Sequence, residues 1–290
     1  MSENNMSSMA VGAAGAALAL FLVVYVVKDT FTTVQTPPCS TRYPTATEFA
    51  LKSEKGAPLS AIELQARAGA DEWGVLENAQ IVALSGAPSP LVLKVNLPKG
   101  STSKYQPEAK KGGMTFRWQP RGLEGATSAC LRYSVYIPSG FDFGASGELP
   151  GIYGGQNYQP ENRADGVNGV ALRPKWSAGG EGELSLQSPD DKVGAISHAL
   201  MAENFTMPRD RWFLLEQEVV LNAPGTPDGI ARLWMDGALK VERTDIAWRA
   251  KDTLKLSGIV NDVWYGGLGS TATAPADTYL ALTPLTVSFK

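Results

Sequence analysis

Apolar and polar residues alternate along most of the chain after residue 61. In the stretch 130–137 the alternation is complete, and one face carries Leu131, Tyr133, Val135 and Ile137. Such a period of two predicts β-strands with one buried face. Further strands are predicted at 91–97, 114–118, 169–173, 254–259 and 285–290. Many short strands separated by Gly and Pro predict an all-β fold, a jelly-roll sandwich of two antiparallel sheets.

Three local features refine this picture. The stretch 59–69 predicts one short helix that ends at Gly69. Asp236-Gly237 supplies the positive-φ residues of a two-residue hairpin turn. In the strand predicted at 211–222, Gln217 lies among apolar positions. A polar amide there needs a hydrogen-bond partner, so Gln217 is either a satisfied core group or a groove residue.

The N-terminal part of the chain has a different composition. Residues 9–27 form an uncharged, strongly apolar run that ends at Lys28, long enough for a transmembrane helix. A cleaved signal peptide is disfavoured, because the tail 1–8 has no Lys or Arg and no A-x-A-like site follows. The sequence therefore predicts a single-pass signal-anchor at 9–27, a Thr/Pro-rich linker at 28–60 and a β-domain at 61–290.

Evidence for the side of the membrane is mixed. The basic residue Lys28 follows the apolar run, and basic flanks favour the cytoplasm. Against this, Asn204 begins an N-F-T glycosylation sequon, and Cys39 and Cys130 are candidates for a disulfide in an oxidising compartment. We predict an extracellular or lumenal β-domain.

Charge and ligand residues exclude some classes of function. The net charge is −3 and the pI is about 5.4, which argues against a nucleic-acid partner. His198 is the sole histidine and there are two cysteines, too few for a structural zinc site. No cofactor is predicted, although a carboxylate-bound structural calcium stays open.

Three segments together resemble the family 14 polysaccharide lyases: 129–155, which contains G-E-L-P-G, 211–243, with L-N-x-P-G-x-x-D-G and W-x-D-G, and 263–267, V-W-Y-G-G. The resemblance extends from about residue 129 to the C-terminus. It implies a concanavalin-like β-jelly roll, of the kind that cleaves alginate and related polyuronates.

To eliminate across C4–C5 of a uronate, a protein must neutralise the carboxylate and place a base near the C5 proton and an acid near the leaving oxygen. The family resemblance implies a lysine in G-K-L-P-G, a Ser-x-Arg pair and a Tyr-x-Tyr pair. At the position of the lysine this chain has Glu148. The Ser-x-Arg pair corresponds to Ala171 and Arg173, and the Tyr-x-Tyr pair corresponds to Ser185 and Gln187. Only the arginine is retained.

Arg173 is accordingly the candidate for neutralising the substrate carboxylate. The alternative is a surface arginine that is paired with a carboxylate of the protein. The candidates for a relocated acid and base are His198, Tyr153, Tyr158 and Lys175. The alternatives are that the histidine is a strand residue with its hydrogen bonds satisfied and that the tyrosines pack a loop. The candidate substrate-binding residues are Gln156, Asn157, Glu148, Lys175, Gln217, Ser185 and Gln187.

These observations predict a membrane-anchored, polysaccharide lyase-like domain with degenerate lyase chemistry, which binds a polyuronate or a neutral glycan or serves a structural role at a surface. Two alternatives remain. One is an active polysaccharide lyase that cleaves a uronate polymer by β-elimination. The other is a structural coat or envelope protein whose jelly roll packs against neighbouring subunits.

Overall fold

The computed structural model describes residues 36–43, 45–69, 71–106, 108, 110–156, 158, 164–189, 198–267 and 270–290, with backbone alone at 198–199 and 201–204. Residues 37–290 form one compact unit. The transmembrane helix predicted at 9–27 lies outside the described residues. Among the residues that are described, no helix has the length and apolar character needed to cross a membrane.

The described residues contain two α-helices, α1 (Ala61–Ala68) and α2 (Val75–Asn78). In chain order the strands are β1 (Thr47–Glu48), β2 (Ala79–Val82), β3 (Val92–Leu97), β4 (Ser101–Thr102), β5 (Lys110–Lys111), β6 (Arg117–Trp118), β7 (Ser128–Tyr136), β8 (Ser146–Glu148), β9 (Gly151–Gly154), β10 (Val170–Ser177), β11 (Glu181–Gln187), β12 (His198–Thr206), β13 (Trp212–Val220), β14 (Gly229–Met235), β15 (Ala238–Ile246), β16 (Leu256–Val260), β17 (Trp264–Tyr265), β18 (Thr278–Leu282) and β19 (Thr286–Phe289).

Two antiparallel sheets form a sandwich. In the part of the chain that is described, the larger sheet has nine strands in the order β15-β14-β13-β7-β18-β3-β2, with β19 beside β7 and β1 beside β19. The smaller sheet has eight, in the order β12-β11-β10-β9-β16-β6, with β8 beside β10 and β17 beside β8. This arrangement confirms the predicted all-β jelly-roll sandwich.

The core lies between the two sheets and follows from the alternation in the sequence. The predicted inner face of β7 is buried, with Leu131 and Val135 fully inaccessible, as is Ile137 directly after the strand. On the smaller sheet, Leu172 and Leu184 point into the same apolar cluster. Each alternating strand therefore leaves its intervening residues on an outer face of the sandwich.

The local predictions for the helix and the hairpin are confirmed. Ser60 and Glu63 form a capping box at the start of α1, and Gly69 ends it with φ 83°. Asp236 and Gly237 both adopt positive φ in the turn between β14 and β15.

The predicted linker at 28–60 is wrong from residue 37 onward. Strand β1 pairs with β19, and the side chains of Phe49 and Leu51 are buried in the main core. The sequence did not reveal these apolar residues, because the segment is rich in Thr and Pro and β1 is only two residues long, too short to show an alternating pattern. The segment therefore belongs to the β-domain.

Residues 37–43 form a strap across the outer face of the larger sheet. A disulfide joins Cys39 to Cys130 on β7, with a Cα–Cα distance of 5.7 Å. Arg42 donates to Glu218 Oε2 at 2.6 Å, and the Tyr43 hydroxyl donates to Glu218 Oε1 at 3.0 Å. Charge-assisted hydrogen bonds and a covalent link thus hold the strap to the sheet.

Candidate functional site

The candidate site lies on the outer face of the smaller sheet, which we call the groove face. Along β10, Ala171, Arg173 and Lys175 point to this face, while Leu172 and Trp176 are buried in the core. The register sets the neighbours on adjacent strands: Ala171 is opposite Gln187, Arg173 is opposite Ser185, and Lys175 is opposite Glu148. The pairing brings together the positions where the resemblance placed the family's reactive groups.

Arg173 is enclosed rather than open to solvent, with 1% of its surface exposed. Its Nη1 donates to Asp262 Oδ2 at 2.8 Å and to Glu148 Oε2 at 3.1 Å. Its Nη2 donates to Gln187 Oε1 at 3.1 Å. Two carboxylates and one amide of the protein therefore occupy the fork of the guanidinium, which would otherwise grip a substrate carboxylate.

Glu148 has several partners of its own. Lys175 Nζ lies 3.3 Å from Glu148 Oε1, and Trp264 Nε1 donates to Glu148 Oε2 at 3.2 Å. The indole of Trp264 packs edge-on against the rings of Trp73 and Tyr105, each with a centroid distance of 5.8 Å. The glutamate in G-E-L-P-G is thus the anionic member of a buried ionic network.

The pKa values follow from burial and from charge. Burial alone would raise the pKa of Glu148, but Arg173 and Lys175 hold that pKa below its ordinary value. Burial raises the pKa of Asp262, Arg173 opposes the rise, and the negative charge of Glu148 adds to it. Although burial opposes the charged form of Arg173, the neighbouring carboxylates hold its pKa above the ordinary value. Arg173 is therefore a permanent cation between two acidic groups.

Tyr153 and Tyr158 stack on each other, with ring centroids 5.2 Å apart. The guanidinium of Arg117 lies 5.7 Å from each ring centroid. Tyr158 donates its hydroxyl proton to Gln187 Oε1 at 2.7 Å, and Tyr153 accepts from Gln119 Nε2 at 3.0 Å. Burial raises the pKa of both hydroxyls, so both remain protonated at neutral pH.

The remaining candidates are dispersed. Gln156 is exposed and lines a cavity of about 370 Å³ with Gln119, Arg121, Glu124 and Ser257. We call it the edge cavity. It adjoins Tyr153 through the hydrogen bond from Gln119.

Gln217 is not a groove residue. It is fully buried between the sheets, and its Nε2 donates to the carbonyl of Pro150 at 2.8 Å. The core position on β13 directs its side chain inward, so it supports the G-E-L-P-G segment from behind.

Three other candidates have no described side chain. Asn157 lies outside the described residues, and so do the side chains of His198 and Asn204 on β12. The backbone of His198 pairs with Leu186 on β11.

Sequence reasoning missed Asp262, which closes the network. Thr115 donates its hydroxyl to Asp262 Oδ1 at 2.6 Å, while Arg173 takes the second oxygen. The signal was a single acidic residue in the apolar stretch 258–267, because a buried charge of this kind needs a partner.

One group of metal-ligating side chains occurs among the described residues: Cys39, Cys130 and Glu216. The two cysteines are joined in a disulfide, so they supply no thiolate for a metal ion.

A family model described as polysaccharide lyase 14 matches residues 86–283. The chain therefore belongs to the polysaccharide lyase 14 family. No curated protein sequence matches it.

Solved structures of alginate lyases share the fold. The marine PL-14 alginate lyase from Aplysia kurodai is 22% identical with a TM-score of 0.65, over 76% of this chain and 90% of that chain. Alginate lyase vAL-1 from Chlorella virus is 19% identical with a TM-score of 0.63, over 73% and 89% of the two chains. A mutant of alginate lyase Aly36B in complex with an alginate tetrasaccharide is 17% identical with a TM-score of 0.64, over 86% and 98%.

Proposed function

We propose that this protein is a member of the family without elimination chemistry, and that it binds polysaccharide. The observation that carries the proposal is the occupied fork of Arg173, whose Nη1 lies 2.8 Å from Asp262 and 3.1 Å from Glu148. A uronate carboxylate arriving at Arg173 would have to displace one of these carboxylates and then lie beside the other. Like charges at such a separation oppose binding.

The second support for the proposal is the proton relay, taken over the candidate residues whose side chains the structure describes. Elimination needs a group that accepts the C5 proton at working pH. Tyr153 and Tyr158 hold their protons, because burial raises their pKa. Lys175 is 3.3 Å from Glu148 and acts as its counter-ion. At the positions of the family's tyrosine pair, Ser185 and Gln187 lack a group that titrates near neutral pH.

In this proposal the polysaccharide binds at the edge cavity. Gln156, Arg121 and Ser257 present amide, guanidinium and hydroxyl groups there, and these are suitable hydrogen-bond partners for sugar hydroxyls. The complex of the Aly36B mutant with an alginate tetrasaccharide is an example of sugar binding by the shared fold. The edge cavity provides neutral donors and acceptors as well as one cation, Arg121, and one anion, Glu124.

We further propose that residues 9–27 anchor the protein in a membrane and that the β-domain lies outside the cytosol. The uncharged run supports the first part. The Cys39–Cys130 disulfide supports the second, since such bonds persist in oxidising compartments.

The test uses the full-length chain in detergent micelles with alginate and with polyglucuronate. Elimination creates a C4–C5 double bond that absorbs in the ultraviolet, and we expect no increase in that absorbance while a family lyase run in parallel gives one. We also expect the chain to be retained on at least one polysaccharide matrix, and Gln156→Ala to weaken the retention. Unsaturated products that disappear in Arg173→Met would refute the loss of chemistry. Failure to bind any polysaccharide would refute the binding role.

A further inference from the structure

A second cavity lies on the opposite side of the sandwich from Arg173. It is formed at one end of the outer face of the larger sheet, where Tyr136 on β7, Trp212 on β13 and Tyr279 on β18 lie on adjacent strands. Their neighbours Val135 and Phe213 are buried in the core, so the alternation turns the three aromatic side chains outward. We call this cavity the aromatic pocket.

The aromatic pocket has the dimensions of a small-ligand site. Its volume is about 490 Å³, and the loop 84–86 with Asp210 and Arg211 completes its wall. Sites for small ligands span roughly 300–1,000 Å³, so the volume of the cavity suits a short saccharide.

The aromatic side chains are half-buried and are held in place. The rings of Tyr136 and Trp212 lie 5.6 Å apart at an interplanar angle of 41°. Tyr136 donates its hydroxyl proton to Asp210 Oδ1 at 3.0 Å. Lys94 Nζ lies 4.5 Å from the centroid of Tyr279 and covers one of its faces. Rigid aromatic surfaces lose little entropy when a ligand packs on them.

Asp210 adopts a backbone conformation that few residues other than glycine use. Its φ is 58°, in the left-handed region, and its N–H donates to the carbonyl of Ile137 at 2.7 Å. The turn aims the Asp210 carboxylate at Tyr136 and at the cavity.

The charges around the aromatic pocket cancel. Arg211 Nη1 donates to Asp236 Oδ2 at 2.8 Å, and the remaining pair, Lys94 and Asp210, contributes one charge of each sign. The pocket therefore has no net charge to attract a polyuronate. It has carboxylate acceptors, guanidinium donors and apolar ring faces, which complement the hydroxyls and the C–H faces of an uncharged sugar.

We propose that the aromatic pocket binds an uncharged pyranoside and is a carbohydrate site separate from the groove face. This inference goes beyond the proposed function, because it places a second sugar site on the other sheet. It requires neither the loss of lyase chemistry nor a ligand in the edge cavity.

The test is calorimetric titration of the full-length chain in detergent with cellohexaose, mannohexaose and an alginate hexasaccharide. We expect one of the neutral hexasaccharides to bind, and Trp212→Ala to weaken its affinity by about tenfold or more, the loss typical of a central aromatic contact. Trp212→Phe keeps a ring and should restore part of the affinity. Tyr136→Phe keeps the ring but not the bond to Asp210, so the loss should be smaller.

Ile62→Ala, at an exposed position of α1 outside both cavities, is the control and should leave this binding unchanged. The proposal is overturned if neither neutral hexasaccharide binds, or if Trp212→Ala and Tyr279→Ala bind as the wild type does. Binding abolished by Gln156→Ala alone would also overturn it, and would place the sugar in the edge cavity. Melting temperatures of all variants separate loss of a contact from loss of the fold.

Discussion

Replacing Arg173 with methionine removes the cation between two buried carboxylates. Glu148 would keep Lys175 at 3.3 Å, but the hydrogen bond that Asp262 would keep among the described residues is the one from the Thr115 hydroxyl at 2.6 Å. Breaking a buried ion pair by removing one partner costs about 3–5 kcal/mol, because a charge is left without compensation. For a domain of this size the melting temperature should fall by roughly 6–20 °C.

The measurement is the free energy of unfolding from urea titration at pH 7, with the melting temperature as a second readout. Arg121→Met is the matched control, because Arg121 is exposed beside the edge cavity. It should change stability by no more than about 0.5 kcal/mol.

A second variant tests the cause. Adding Glu148→Gln and Asp262→Asn to Arg173→Met removes both buried acidic charges, including that of Asp262, which Arg173→Met leaves without a cation, and should recover at least half of the lost stability. If Arg173→Met is as stable as the wild type, Arg173 is not the centre of a structural network, and the main support for lost chemistry is removed. If the triple variant is no more stable than Arg173→Met, charge burial is not the cause of the loss.

Two further predictions concern the strap and the G-E-L-P-G segment. Burial raises the pKa of Tyr43 from 10.0 to about 12, so the unfolded chain loses this proton first and stability falls as pH rises from 10 through 12, by up to about 3 kcal/mol. Between pH 9 and pH 11.5 the urea midpoint of unfolding should fall less in Tyr43→Phe than in the wild type. An equal fall in the two proteins would contradict the prediction. Gly151→Ala should destabilise by about 1–3 kcal/mol, because a Cβ there would overlap Leu172 and Arg173. Gly140→Ala, with open space around it, should be neutral, and equal effects in thermal melts would refute the steric explanation.

The alternation of residues predicted much of the fold because burial of one strand face is a local property. The alternation located β7 and β13, and the Asp236-Gly237 pair located the turn between β14 and β15. The stretch 37–60 was misjudged because its composition is polar, although Phe49 and Leu51 are buried. A two-residue strand is too short for periodicity to reveal.

The site was predicted in part. The substitutions at Glu148, Ser185 and Gln187 were visible as departures from the family pattern. Their consequence was not visible, because the sequence shows a glutamate in place of the family's lysine but not its partner, and the structure pairs Glu148 with Arg173 at 3.1 Å.

Local sequence thus specified which residues face the core, where the turns lie and which positions depart from the family pattern. The partners of Arg173 depended on the tertiary structure. Asp262 is 89 positions away in the chain and lies between β16 and β17. It approaches Arg173 because β9 links β16 to β10 and β8 links β17 to β10. Hydrophobic periodicity records which face is buried, but the charge that compensates a buried arginine is selected by sheet order, which no short stretch of residues encodes.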